Sequence, residues 1–65
     1  MSKKNIYSRG VGLLVYIVNA VSSIRRGGAK LIIKTGLVTV NGKVITNDKH
    51  PVLPGDVVRI KGRVV

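Results

Sequence analysis

The sequence of 65 residues contains no cysteine, no tryptophan and no phenylalanine, and it has only two acidic residues. The absence of cysteine excludes disulfides, thiolate metal sites and cysteine nucleophiles, and it is consistent with a cytoplasmic location. A chain of this length forms a single domain, whose core is modest because only about 60% of the unfolded surface becomes buried.

The scarcity of acidic residues leaves most of the 12 lysine and arginine residues without partners and gives a formal net charge of +10. Such an excess of like charge costs stability, so it usually serves a polyanionic partner. Nucleic acid is the first candidate, and an anionic membrane surface is the second. Because two tyrosines are the only aromatic residues, stacking on single-stranded bases is poorly supplied. We therefore expect recognition of shape and backbone.

Residue types that support catalysis are also scarce. Asp48 and Asp56 are the only carboxylates, and His50 is the only histidine. Paired-carboxylate chemistry needs both groups in one cleft, and a lone histidine does not make a metal site. Gly27 and Gly28 lack the spacing of a phosphate-binding loop. We therefore expect a protein that is not an enzyme and that uses no metal, cofactor or small-molecule substrate.

The N-terminal third of the chain permits more than one interpretation. Residues 1–10 predict a flexible basic arm, in which Lys3, Lys4 and Arg9 can add phosphate contacts. The apolar residues 11–24 follow this arm as in a signal peptide, but the run is shorter than the about 20 residues that span a bilayer. We predict a core helix over about residues 11–21, with a strand as the competing prediction. A cationic membrane-surface or exported peptide, and a protein interface within a ribonucleoprotein, stay open as alternatives.

A second helix is predicted over about residues 24–35. Residues at helical spacing form an apolar face: Ala29, Ile32, Ile33 and Gly36. Basic residues at successive i+4 spacings form the neighbouring face: Arg26, Lys30 and Lys34. Like charges at this spacing weaken an isolated helix, so phosphate binding would explain them. Ser22 or Ser23 is expected to cap this helix and Gly36 to end it. Gly27 and Gly28 suggest a close backbone approach near its start, either to another element or to a ligand.

The C-terminal half reads as short strands joined by turns. Asn41-Gly42 between runs 37–40 and 43–46 predicts a β-hairpin, because a type I′ turn needs positive φ at both positions. A loop over 47–51, a turn at 54–56 with Asp56 bonding nearby amides, a last strand over 57–60 and a solvated basic exit over 61–63 are expected to follow. The order predicts an α+β fold with two N-terminal helices packed on a small, mostly antiparallel sheet.

The ordered set of residues over 25–60 resembles the alpha-L RNA-binding domain, first described in small-subunit ribosomal protein S-four. That family's core reads approximately Ser-Arg-x-x-Ala-x-x-x-Ile-x-x-Gly-x-Val-x-Val-Asn-Gly-Lys, with a later Gly-Asp before the final strand. The matching residues are Arg26, Ala29, Ile33, Gly36, Val38, Val40, Asn41, Gly42, Gly55 and Asp56. The Gly-Gly-Ala-Lys segment is also similar to the small stand-alone YbcJ-like members. The family's serine before the helix arginine is Arg25 here.

The resemblance implies a single RNA-binding domain over 11–65 whose second helix and hairpin form a shallow groove for structured RNA. The residues that it places at this groove are Arg25, Arg26, Lys30, Lys34, Thr39, Asn41 and Lys43. Arginine binds a phosphate with two parallel hydrogen bonds and lysine acts as a point charge, while amide and hydroxyl groups can bond phosphate, sugar or 2′-hydroxyl. The implied partners are ribosomal RNA, a ribosomal particle or tRNA.

Overall fold

The computed structural model describes residues 11–65, so the predicted basic arm with Lys3, Lys4 and Arg9 lies outside the described residues. The elements in chain order are β1 (Val11–Gly12), α1 (Leu13–Ala20), α2 (Arg26–Lys34), β2 (Val38–Val40), β3 (Lys43–Val44), β4 (Pro51–Val52), β5 (Val58–Ile60) and β6 (Arg63–Val64). Four strands form an antiparallel sheet in the order β3-β2-β5-β6, and β1 pairs separately with β4. The predicted α+β fold of two helices and a small antiparallel sheet is confirmed.

The first helix is shorter than predicted because its first two residues belong to a strand. Val11 pairs with Val52 and Gly12 pairs with Pro51. The N–H groups of the first helical turn then bond to the loop that precedes β4: Leu13 N–H and Leu14 N–H donate to the carbonyls of His50 and Asp48, at 2.8 and 3.0 Å. These bonds satisfy two donors that every helix start leaves unpaired, so the loop predicted over 47–51 serves as the cap of α1.

The second helix begins two residues later than predicted, and the expected serine cap is wrong. Arg25 is the N-cap residue of α2 and makes no side-chain cap bond. Ser22 and Ser23 instead lie in a turn closed by the bond from Ile24 N–H to the Val21 carbonyl, at 3.2 Å. This turn places Ile24 against the core, and the serines are left exposed too far upstream to reach the helix.

The predicted stop of α2 at Gly36 is confirmed. Gly36 has φ +83, a left-handed conformation that glycine adopts without steric cost. Gly36 N–H and Leu37 N–H donate to the carbonyls of Ile33 and Ile32, both at 3.1 Å. This pair of bonds is the Schellman arrangement, and it turns the chain directly into β2.

The core lies between the two helices and one face of the four-stranded sheet. Its buried residues are Leu13, Ile17, Ala29, Ile33, Val38, Val40, Val52 and Val58. Leu13 and Ile17 are fully buried, so the apolar face of α1 packs inside the domain, as the core-helix interpretation predicts. Within residues 11–65, no helix has the length and apolarity that crossing a membrane requires.

Two hairpin turns of the same geometry close the ends of the sheet. Asn41 and Gly42 have φ +54 and +84, and Lys61 and Gly62 have φ +52 and +82. The first turn is the predicted one. The second was predicted as a basic exit, and its strand β6 was not foreseen, because lysine rarely adopts positive φ and Lys-Gly is a weaker turn signal than Asn-Gly.

Candidate nucleic-acid interface

The basic face of α2 is displayed to solvent beside a neighbouring face that is anchored in the core. Ala29 and Ile33 are fully buried, whereas Arg26, Lys30 and Lys34 are all exposed. The helical periodicity therefore holds the three cations in a row along one side of α2. Arg25, at the N-cap, adds one more exposed basic residue next to Arg26.

The first turn of α2 has an uncovered backbone. A Cβ atom added to Gly27 would meet no atom within 4 Å, and one added to Gly28 would lie 3.5 Å from Cγ1 of Ile24. The expected close approach of another element is therefore wrong for Gly27 within the described part of the chain. The glycines leave the peptide groups beside Arg25 and Arg26 open to solvent.

The first hairpin lies beside the C-terminal end of α2. A Cβ atom on Gly36 would be 3.7 Å from Cγ1 of Val44, so β3 is adjacent to the helix stop. Lys43 is exposed on β3, directly across from Val40. The fold thus brings the stop of α2 close to Val44 on the edge strand of the first hairpin.

Thr39 lies on the other face of the sheet. Its neighbours Val38 and Val40 are buried in the core, and successive side chains of a strand point to opposite faces. Thr39 pairs across the sheet with Val44 and Arg59, so it shares their face of the sheet. The structure therefore places Thr39 on the face of β2 opposite to the core, next to Val44 of the first hairpin.

Asn41 and Asp56 join the hairpin turn to the turn at 54–56. The Asn41 side-chain amide donates to Oδ1 of Asp56 at 3.0 Å and accepts from Val57 N–H at 2.9 Å. Asp56 Oδ2 accepts from Leu53 N–H at 2.9 Å, which confirms the expected bond from Asp56 to a nearby amide. This Asn41–Asp56 clasp holds the hairpin tip against β5.

The clasp, the stop of α2 and the first hairpin all lie within the residues that match one family model. A model of the S4 domain family matches residues 11–58, which is more than half of the chain. This chain belongs to the S4 domain family. The S4 domain is the RNA-binding alpha-L domain, so the predicted resemblance is confirmed at the level of the family.

One solved structure has a fold similar to this S4 domain. It is described as the crystal structure of pseudouridylate synthase, and it superposes with a TM-score of 0.79 at 18% sequence identity. The similar region covers 86% of this chain but 24% of that chain, and the likeness is one of fold. A comparison with curated proteins finds no match.

The clasp of this S4 domain also changes the acidity of Asp56. The bond from Leu53 N–H and the bond from the Asn41 amide both favour the charged carboxylate, and the nearby His50 acts in the same direction. Together they outweigh desolvation and hold the pKa of Asp56 below its ordinary value of 3.8. The carboxylate is therefore charged at neutral pH, and each of its oxygens accepts one hydrogen bond.

We expect the clasp to lose its stabilising effect in acid. Because the pKa of Asp56 is lower in the folded than in the unfolded state, its contribution is complete above the unfolded pKa near 3.8 and disappears as pH falls through the folded value. Thermal unfolding from neutral pH down to about pH 2 measures this effect. Asp56→Asn is the control, because it removes the titrating group. If the wild-type midpoint falls no faster in acid than that of Asp56→Asn, the clasp carries no pH-dependent stability.

Proposed function

We propose that this S4 domain binds structured RNA, without catalysis, through the basic face of α2 and the adjacent edge of the first hairpin. The observation that carries the proposal is the row of exposed cations on a helix whose neighbouring face is fixed in the core. The residues proposed to contact RNA phosphates are Arg25, Arg26, Lys30, Lys34 and Lys43. A row of cations that is fixed before binding suits a partner whose phosphates are also held at fixed positions better than a flexible polyanion.

Thr39 and Asn41 are proposed as secondary contacts. The amide of Asn41 is occupied by Asp56 and Val57, so its main contribution is to hold the hairpin tip beside the RNA. Thr39 points to the outer face of the sheet. It is proposed to contact RNA where the RNA backbone passes along this face of the first hairpin.

Shape and backbone recognition is proposed rather than stacking on unpaired bases. Tyr16 is half-buried against the core, and its hydroxyl donates to the Val65 carbonyl at 3.0 Å. Its ring is therefore used in packing and is not a platform for bases. The basic row presents charges at helical spacing, which suits phosphates of a folded RNA such as ribosomal RNA or tRNA, free or in a ribosomal particle.

Binding without catalysis follows from where the ionisable groups lie. The Asp56 carboxylate is held by Leu53 and Asn41, and its low pKa makes it a weak proton acceptor at neutral pH. Neither carboxylate belongs to a residue of α2 or of the first hairpin, and the Asp56 carboxylate at the hairpin tip is bonded to Asn41. The proposed RNA face therefore offers charge and shape, and the carboxylate that borders it is held in the clasp.

The salt dependence of binding tests the proposal directly. If about five phosphates of a double-helical RNA are neutralised, the logarithm of the association constant should fall with the logarithm of salt concentration at a slope of roughly −4 to −5. A labelled ribosomal RNA hairpin titrated between about 50 and 200 mM salt measures the slope. A flat response, or binding no tighter than that of an uncharged polymer control, would contradict RNA binding through the basic face.

A further inference from the structure

The second hairpin presents a lysine in a conformation that normally belongs to another residue type. Lys61 has φ +52, within two degrees of φ +54 at Asn41 in the first hairpin. This conformation is sterically unfavourable for a side chain such as lysine, whereas asparagine and glycine tolerate it. Asn41 uses its amide to bond Asp56 and Val57. A lysine at the matching position offers a charge instead.

Beside this turn lies a groove with an apolar floor and a basic rim. The groove has a volume of about 470 Å³, and it is lined by Val21, Ile60, Val65, Lys61 and Arg63. Arg63 lies directly across the sheet from Ile60, so its guanidinium borders the floor. Neither Asp48 nor Asp56 is among the lining residues, and the two rim cations therefore favour an anionic occupant.

The turn beside the groove is bonded to the segment that follows α2. Lys61 N–H donates to the Leu37 carbonyl at 2.9 Å, and Leu37 follows Lys34 by three residues. The Cα atoms of Lys34 and Leu37 are therefore at most about 11 Å apart. The bond at Leu37 therefore places the turn of the second hairpin near the C-terminal end of the helical row.

We propose that Lys61 and Arg63 form a second phosphate-binding site for RNA, with a ribose lying on the apolar floor between the two cations. The inference rests on the proposed RNA-binding function and extends its surface from the helix to the opposite end of the sheet. Lysine binds a phosphate as a point charge and arginine binds it with two parallel bonds. The unfavourable φ of Lys61 is explained by a ligand that needs a charge at the turn.

The test uses the full chain and substitutions that keep the turn. Lys61→Asn removes the charge and places a preferred residue at positive φ, and Arg63→Gln removes the second charge from an exposed edge strand. The double variant should bind a labelled ribosomal RNA hairpin about 25-fold more weakly at about 0.15 M salt, because each lost phosphate contact costs about fivefold. The slope of the logarithm of its association constant against the logarithm of salt concentration should be less negative by nearly two. The thermal midpoint of Lys61→Asn should be equal to or above that of the wild type.

A matched control removes two charges elsewhere: Lys49→Asn with Arg59→Gln should leave the slope unchanged. If Lys61→Asn with Arg63→Gln binds RNA like the wild type, while loss of the basic face of α2 abolishes binding, the second site is wrong and the proposed function stands. If the wild type shows no salt-dependent RNA binding, both fail. If Lys61→Asn with Arg63→Gln loses affinity for polyglutamate but keeps its affinity for RNA, the groove binds an acidic protein and the proposal is wrong.

Discussion

Replacing Arg26, Lys30 and Lys34 together with alanine should weaken binding to structured RNA about a hundredfold at about 0.15 M salt. Each residue neutralises one phosphate in the proposed complex, and each such contact contributes about fivefold at this salt concentration. The slope of the logarithm of the association constant against the logarithm of salt concentration should become less negative by nearly three. Titration of a labelled RNA hairpin by fluorescence anisotropy, at several salt concentrations, measures both quantities.

The loss of binding should not come from unfolding. Alanine has the highest helix propensity, and the three substitutions remove like charges at i+4 spacing that weaken α2. All three side chains are exposed, so no core contact is lost. The thermal midpoint of the triple variant should equal or exceed that of the wild type.

A charge-matched comparison separates a local site from general electrostatics. Lys30→Ala with Lys34→Ala and Lys49→Ala with Arg59→Ala both remove two exposed positive charges. The first pair lies on the proposed RNA face, and the second pair lies on a loop and on the outer face of the sheet. Equal losses of affinity in the two variants would show that total charge, and not the face of α2, controls binding.

Replacing Ile33 with alanine should remove much of the stability of the domain. Ile33 is fully buried and packs in the cluster that joins both helices to the sheet. Truncations of this kind cost about 2–5 kcal/mol. A domain of this length has a total free energy of unfolding of only about 3–10 kcal/mol. The variant should therefore be partly or wholly unfolded at physiological temperature.

Leu31 provides the matched control on the same helix. It is 63% exposed, so Leu31→Ala should change the free energy of unfolding by no more than about 0.5 kcal/mol. Urea unfolding followed by far-ultraviolet circular dichroism compares the two variants at one temperature. Similar midpoints for Ile33→Ala and Leu31→Ala would contradict the packing of α2 through its Ala29 and Ile33 side.

The parts of the interface that could be predicted from the sequence are those encoded within one or two turns of chain. The basic row of α2 follows from residues four apart, and the first hairpin follows from Asn41-Gly42 between β-rich runs. The stop at Gly36 is equally local, because it depends on one residue that adopts positive φ. Each of these features needs no distant partner to be specified.

The remaining features depend on segments that are far apart in the chain. The pairing of Val11 with Val52, the clasp between Asn41 and Asp56, and the bond between Leu37 and Lys61 join residues separated by 41, 15 and 24 positions. Short strands of two residues have no periodicity of their own, so β1, β4 and β6 become recognisable only through their partners.

Charge, helical spacing and turn chemistry are local properties, and they were sufficient to predict an α+β domain with a cationic helix and a polyanionic partner, while the resemblance to the alpha-L domain identified that partner as RNA. The placement of that helix beside β3, the occupation of the Asn41 amide by the clasp, and the groove at Lys61 and Arg63 result from packing between distant segments. Local backbone preferences act through neighbouring residues, whereas the relative positions of elements are set by which apolar surfaces can be buried together.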